Sequence, residues 1–108
     1  MKTTRELLEL AARALGIELD WGLCVPNTSP WRMTGTGGAY GPGAMWNPST
    51  DDGDSARLES AMGLDVTWLE DAVWVRGVGE YYSDHNGDKQ AARRMATLRA
   101  AALIGETK

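Results

Sequence analysis

At Gly16 the hydrophobic period of the chain switches from that of a helix to that of a strand, and no other feature limits the available folds as much. Before it, Thr3 and Glu6 have the spacing of a capping box, in which a hydroxyl and a carboxylate satisfy orphan amides at a helix start. Leu7, Leu10, Ala11, Ala14 and Leu15 then fall on one side at about 100° per residue, with Arg5, Glu6, Glu9 and Arg13 on the other. Glu9 and Arg13 form a helix-favouring i,i+4 pair, and Gly16 supplies a left-handed stop. Immediately afterwards Ile17, Leu19, Trp21, Leu23 and Val25 alternate against Glu18, Asp20 and Gly22, as a half-buried strand requires, until Pro26 ends the run. A helix that feeds directly into a strand points to an α+β class.

The rest of the chain repeats this mixture. Trp31–Thr34 suits a short return strand, with residues 26–30 as the turn, and the glycine-rich stretch 35–43 is expected to be a loop. A second helix is predicted from near Thr50 or Asp51 to Gly63, with Leu58, Ala61 and Met62 facing inward. Leu64, Val66 and Trp68 alternate with Asp65 and Thr67, Glu70 and Asp71 make a turn, and Ala72 to Arg76 returns as the second arm of a hairpin. That arm is expected to continue past Gly77 and Gly79 to Tyr81 and Tyr82. Residues 83–88 are polar turn chemistry that offers several helix caps, and His85, the one histidine, is read as solvated there. In the last helix Ala91, Met95, Leu98 and Ala102 form a narrow apolar stripe, and Gly105 is read as its end. The predicted architecture is a single domain, residues 1–108, of order α-β-(β)-α-β-β-α. It has a small, mostly antiparallel sheet with the N- and C-terminal helices packed on one face.

Composition narrows the function. A chain of 108 residues has room for one modest core. It has no Phe but five Trp, whose ring nitrogens want partners when buried, so some indoles are expected at the core edge or on a binding surface. The net charge of −4 opposes long-range attraction to nucleic acid or anionic membranes. Cys24 is the single cysteine, which excludes an intramolecular disulfide and suits a reducing compartment. The opening residues lack an apolar signal core, and no apolar run approaches membrane-spanning length. The expectation is a soluble cytoplasmic protein with no membrane contact and no cofactor.

The densest cluster of chemistry is Trp46-Asn47-Pro48-Ser49-Thr50-Asp51-Asp52-Gly53-Asp54, an aromatic, a proline stop, helix caps and three carboxylates together. Its structural reading is that one aspartate caps the second helix while the others favour the positive end of the helix dipole, at about 0.3 to 1 kcal/mol each. Asp51, Asp52, Asp54 and Asn47 also offer oxygen ligands for a hard cation, but their spacing fails the EF-hand template. A third reading is a partner-binding acidic edge beside Trp46. The glycine stretch lacks both the Gly-Lys-Ser/Thr ending of a P-loop and a dinucleotide fingerprint, leaving Tyr40 as its one contact candidate. Cys24 sits in an apolar alternation that argues for an inert buried thiol, so pairing with His85 as a nucleophile and base is disfavoured. Zinc lacks enough Cys and His ligands. Arg93, Arg94 and Arg99 suggest a nucleic-acid contact, but on the helical projection they do not form one row.

The run from Trp46 to Leu58, with the opening Arg5-Glu6-Leu7-Leu8-Glu9-Leu10-Ala11-Ala12 and the closing Ala92-Arg93-Arg94-Met95-Ala96-Thr97-Leu98-Arg99-Ala100-Ala101-Ala102-Leu103-Ile104-Gly105, resembles a group of small uncharacterised bacteriophage and prophage proteins, similar in style to NinX-like accessory proteins. The resemblance implies a setting in the bacterial host cytoplasm and assigns no catalytic residue. On that basis the expected function is non-enzymatic, through contacts with a host or phage protein such as a host defence factor, at Trp46, Asn47, Asp51, Asp52, Asp54 and Tyr40. The alternatives are a nucleic-acid-associated module using Arg93, Arg94 and Arg99, and a small metal-dependent enzyme.

Overall fold

The capping box forms as its spacing predicts: the Thr3 hydroxyl accepts from the Glu6 amide, and the Glu6 carboxylate accepts from the Thr3 amide, each at 3.1 Å. These bonds from Thr3 hold the Glu6 carboxyl below its ordinary range. They open helix α1, Thr4–Leu15, which Gly16 ends at φ 78°. The protein is seen in a computed structural model that describes residues 2–20, 31–34 and 44–107. The expected continuation of the first strand through Val25, the turn at 26–30 and the glycine stretch 35–43, with Cys24 and Tyr40, lie outside the described residues.

The architecture is α+β, with helices at both ends. After α1 come β1 (Glu18–Asp20), β2 (Trp31–Thr34) and β3 (Ala44–Met45), which pair antiparallel in that order. Helix α2 (Asp52–Met62) separates them from a second antiparallel sheet of β4 (Val66–Trp68), β5 (Ala72–Val75) and β6 (Val78–Tyr81). A 3-10 turn, Tyr82–His85, leads into α3, Lys89–Glu106, whose first amides are capped by the Asp88 carboxylate. The described strands thus form two small sheets where the sequence suggested one.

In the second sheet the hairpin expected at Glu70 and Asp71 is present, closed by the Leu69 amide donating to the Ala72 carbonyl at 2.8 Å. The strand that seemed to run on to Tyr82 is broken by a second turn. Arg76 and Gly77 both adopt left-handed backbone, φ 48° and 80°, the geometry of a two-residue turn that matches strand twist. Asn or Asp usually occupies the position that Arg76 takes, so the turn signal was weak. Tyr82 leaves the sheet and pins it from below: its hydroxyl donates to the Leu69 and Ala72 carbonyls at 2.7 and 2.8 Å.

Helix α3 is the centre of the molecule. One side lies on β5 and β6, and others meet α1 and α2. The expected stripe is therefore too narrow: Ala92, Ala96, Thr97, Leu98, Ala100, Ala101, Ala102 and Gly105 are buried, while Ala91 and Met95 are only partly so. Gly105 does not end the helix but sits inside it, where α1 crosses. Leu8, Leu58, Trp46, Val73, Val75 and Leu98 join in one core. In α2, Leu58 is buried and Met62 packs at the core margin, but Ala61, in the last turn, is exposed, although buried Asp54 two turns earlier lies within about 20° of it on the helical projection.

Candidate functional site

The 46–54 motif builds inward. Trp46 is fully buried in the core, so it is not the exposed anchor that its polar neighbours suggested. Its indole N–H and the Ser55 hydroxyl are buried without a hydrogen-bond partner among the described residues. Asn47 is also buried; its side-chain oxygen accepts from the Ser49 amide at 3.0 Å and from the Ser49 hydroxyl, and its carbonyl accepts from the Thr50 and Asp51 amides. Asp51 is the α2 cap, accepting from the Asp54 amide at 2.7 Å. Asp54, buried, accepts from the Asn47 amide at 2.9 Å and from Arg57 at 3.2 Å. The three carboxylates therefore serve different bonds and do not converge. Among the described residues no group of three or more His, Cys, Asp or Glu side chains is placed to hold a metal ion.

The arginines of α3 clasp this motif. Arg94 donates to the Asp52 carboxylate at 2.6 Å and to the Ser49 carbonyl at 3.1 Å. Arg93 reaches the Asp52 carboxylate at 3.3 Å and Glu59 at 3.4 Å, while Thr97 donates to the other Glu59 oxygen at 2.6 Å. Arg99 pairs with Glu80, which also meets His85 at 2.8 Å. The three arginines singled out for a nucleic acid are thus each in an ion pair within the chain, Arg93 and Arg94 largely buried and Arg99 exposed.

The Arg94 hydrogen bond, with the charges of Arg94 and Arg93, holds the Asp52 carboxyl below its ordinary range. A depressed carboxyl stabilises the fold at pH values above its unfolded value, and that contribution disappears as pH falls through the folded value. Because Asp52 is 56% exposed, the clasp contributes no more than about 1 kcal/mol. Wild type is expected to exceed Asp52→Asn in urea midpoint at neutral pH, with the two converging in acid as pH falls through the lowered folded value of Asp52. A gap that persists unchanged in acid contradicts the clasp.

The accessible chemistry lies elsewhere, on the sheet of β4 to β6. Residues directly opposite in a ladder share a face, and Val73 and Val75 point into the core. Trp74 must then point out, together with its partners Thr67 and Gly79 and with Tyr81, the partner of Ala72. Trp74 is 42% exposed, Tyr81 56%, and Leu69, the next outward position beyond Thr67, 47%. Trp68 belongs to the inner face but stands at the edge strand, 46% exposed, with its ring 6.5 Å from that of Tyr82. This cluster was not named from the sequence. The signal was present: five tryptophans without phenylalanine, and the alternation Val73-Trp74-Val75, which sends the largest ring outward once the valines are inside.

A concavity of about 570 Å³ lies between α1, β6 and α3 over Leu7, Val78, Met95 and Leu103. Its charged groups are paired with one another, Lys2 with Glu106 and Arg99 with Glu80, so no unpaired polar groups converge there to orient a small molecule. No helix among the described residues is long and apolar enough to cross a membrane. Comparison of the chain with protein-family models, curated proteins and solved structures finds no match in any of the three.

Proposed function

We propose that this chain is a non-enzymatic accessory protein of phage or prophage origin that acts in the bacterial cytoplasm by binding another protein, encoded by the host or the phage. The phage setting rests on the resemblance of the 46–58 run and the two terminal helices. The binding role rests on one observation, the outward cluster of Leu69, Trp74 and Tyr81 on a three-stranded sheet. Half-exposed rings of this size present roughly 300 Å² of contiguous apolar surface, the extent at which patches on small proteins tend to be functional. Aromatic side chains are also the side chains that dominate binding energy when a partner covers them.

Affinity capture from bacterial lysate, with nuclease-treated and untreated halves compared by mass spectrometry, tests this. The expected result is one stoichiometric protein that survives nuclease and is lost from Trp74→Ser and Tyr81→Ser variants that keep the wild-type melting temperature. Truncating one such anchor costs about 2 kcal/mol or more of binding, roughly thirtyfold in Kd. Capture that persists in both variants removes the sheet face from the account, and nuclease-sensitive capture returns attention to the arginines of α3.

A further inference from the structure

We infer that the segment bound by the outer sheet face is cationic: an arginine- or lysine-bearing stretch of the partner protein that stacks on Trp74 and Tyr81 and pairs with Glu70 and Asp71, an inference resting on the protein-binding reading above. The Trp74 indole occupies the space where a side chain at position 79 would stand. A Cβ on Gly79 would lie 3.0 Å from its Cε2 and Cζ2 and 3.2 Å from its Cδ2. One π face is therefore laid on backbone, and the ring needs little further ordering when a ligand arrives. An open π face is electron-rich and attracts guanidinium and ammonium groups, with Trp the strongest of the aromatic partners.

Charge selects the same partner. Glu70 and Asp71 form the turn between β4 and β5, next to Leu69 and level with the Ala72–Tyr81 pair. Both are exposed, and neither takes part in an ion pair among the described residues. Arg76, the sole cation within β4 to β6 and their turns, stands at the opposite turn, between β5 and β6. The Glu70–Asp71 end thus carries carboxylates that enter no ion pair among the described residues, beside an aromatic platform, while Lys89 lies over the Tyr82 ring, 5.3 Å from its centroid. Nucleic-acid bases also stack on such platforms, but their phosphates would meet this charge and that of the chain as a whole. A cationic peptide gains from both the rings and the carboxylates.

A displayed library of random dodecapeptides, selected in parallel on wild type, Trp74→Ser, Tyr81→Ser and the Glu70→Lys/Asp71→Lys double variant, tests the inference. Thermal melts confirm that each is folded. Peptides recovered in a Trp74- or Tyr81-dependent manner are expected to exceed the starting library in Arg and Lys by roughly twofold. Synthetic representatives should bind the charge-reversed variant about tenfold more weakly and lose affinity with added salt. Neutral or acidic peptides recovered with the same dependence on the rings overturn the cation preference while leaving the face a protein-binding one. No ring-dependent recovery overturns both readings, and ring-dependent binding of oligothymidylate tighter than that of any recovered peptide overturns both in favour of nucleic acid.

Discussion

Gly105→Ala is expected to destabilise the protein by about 4 kcal/mol or to prevent folding, although alanine is the better helix former. In an ordinary helical position the change would stabilise by up to about 1 kcal/mol, so the two accounts differ in sign. Gly105 lies within α3 where α1 crosses it, and a Cβ there would stand 1.9 Å from the Leu10 carbonyl oxygen and 2.7 Å from its carbon. The obstacle is backbone on a packed helix, which no rotamer change relieves. Around the crossing Ala11, Ala14, Ala101 and Ala102 are buried, and small side chains such as these let the two axes approach closely. The helices would have to separate, opening gaps beside residues that are now in contact. Against a typical total stability of about 5 to 15 kcal/mol such a loss is decisive. Urea denaturation followed by circular dichroism measures it, with Leu103→Ala, an exposed position on the same helix, as the control expected to change little. A midpoint for Gly105→Ala equal to or above wild type would refute the close crossing.

Trp46→Ala is expected to cost about 3 to 5 kcal/mol, the range for deleting a buried large aromatic. The ring is fully buried in the cluster that joins α1, α2, α3 and the second sheet, so its removal leaves a cavity on which several elements converge. Trp46→Phe separates packing from polarity. It keeps most of the volume and deletes an N–H that has no partner among the described residues, so a cost below about 1.5 kcal/mol is expected. A loss for Phe as large as for Ala would show that the N–H makes a bond, most simply to a buried water. The Phe variant should also retain partner binding, because Trp46 is not on the surface; selective loss of binding in a fully folded Trp46→Phe protein would return the motif to the interface.

The motif's density of chemistry was legible before its purpose was. Asp51 as the α2 cap and Gly63 as its stop follow from local rules, since each satisfies backbone groups within a few residues. That Arg93 and Arg94 would return across some forty residues to clasp Asp52 does not follow, because a helical projection records which way side chains leave their own helix and not what stands opposite. The same limit hid the exposed aromatic face of the second sheet. Alternation puts Trp74 on the side away from Val73 and Val75, but which side is covered depends on where α3 comes to rest.

Local sequence determined the elements held by bonds between near neighbours: the Thr3–Glu6 capping box, the left-handed glycine stops after α1 and α2, the Glu70–Asp71 turn and the Asp88 cap of α3. Tertiary structure alone decided that Trp46 is core and Trp74 is surface, that Ala61 faces solvent while Asp54 is buried, and that Gly105 is a crossing point and not an end. The reason is one of range. Caps and turns close over three or four residues and can be read from them, whereas burial is a property of what another part of the chain brings to the same place.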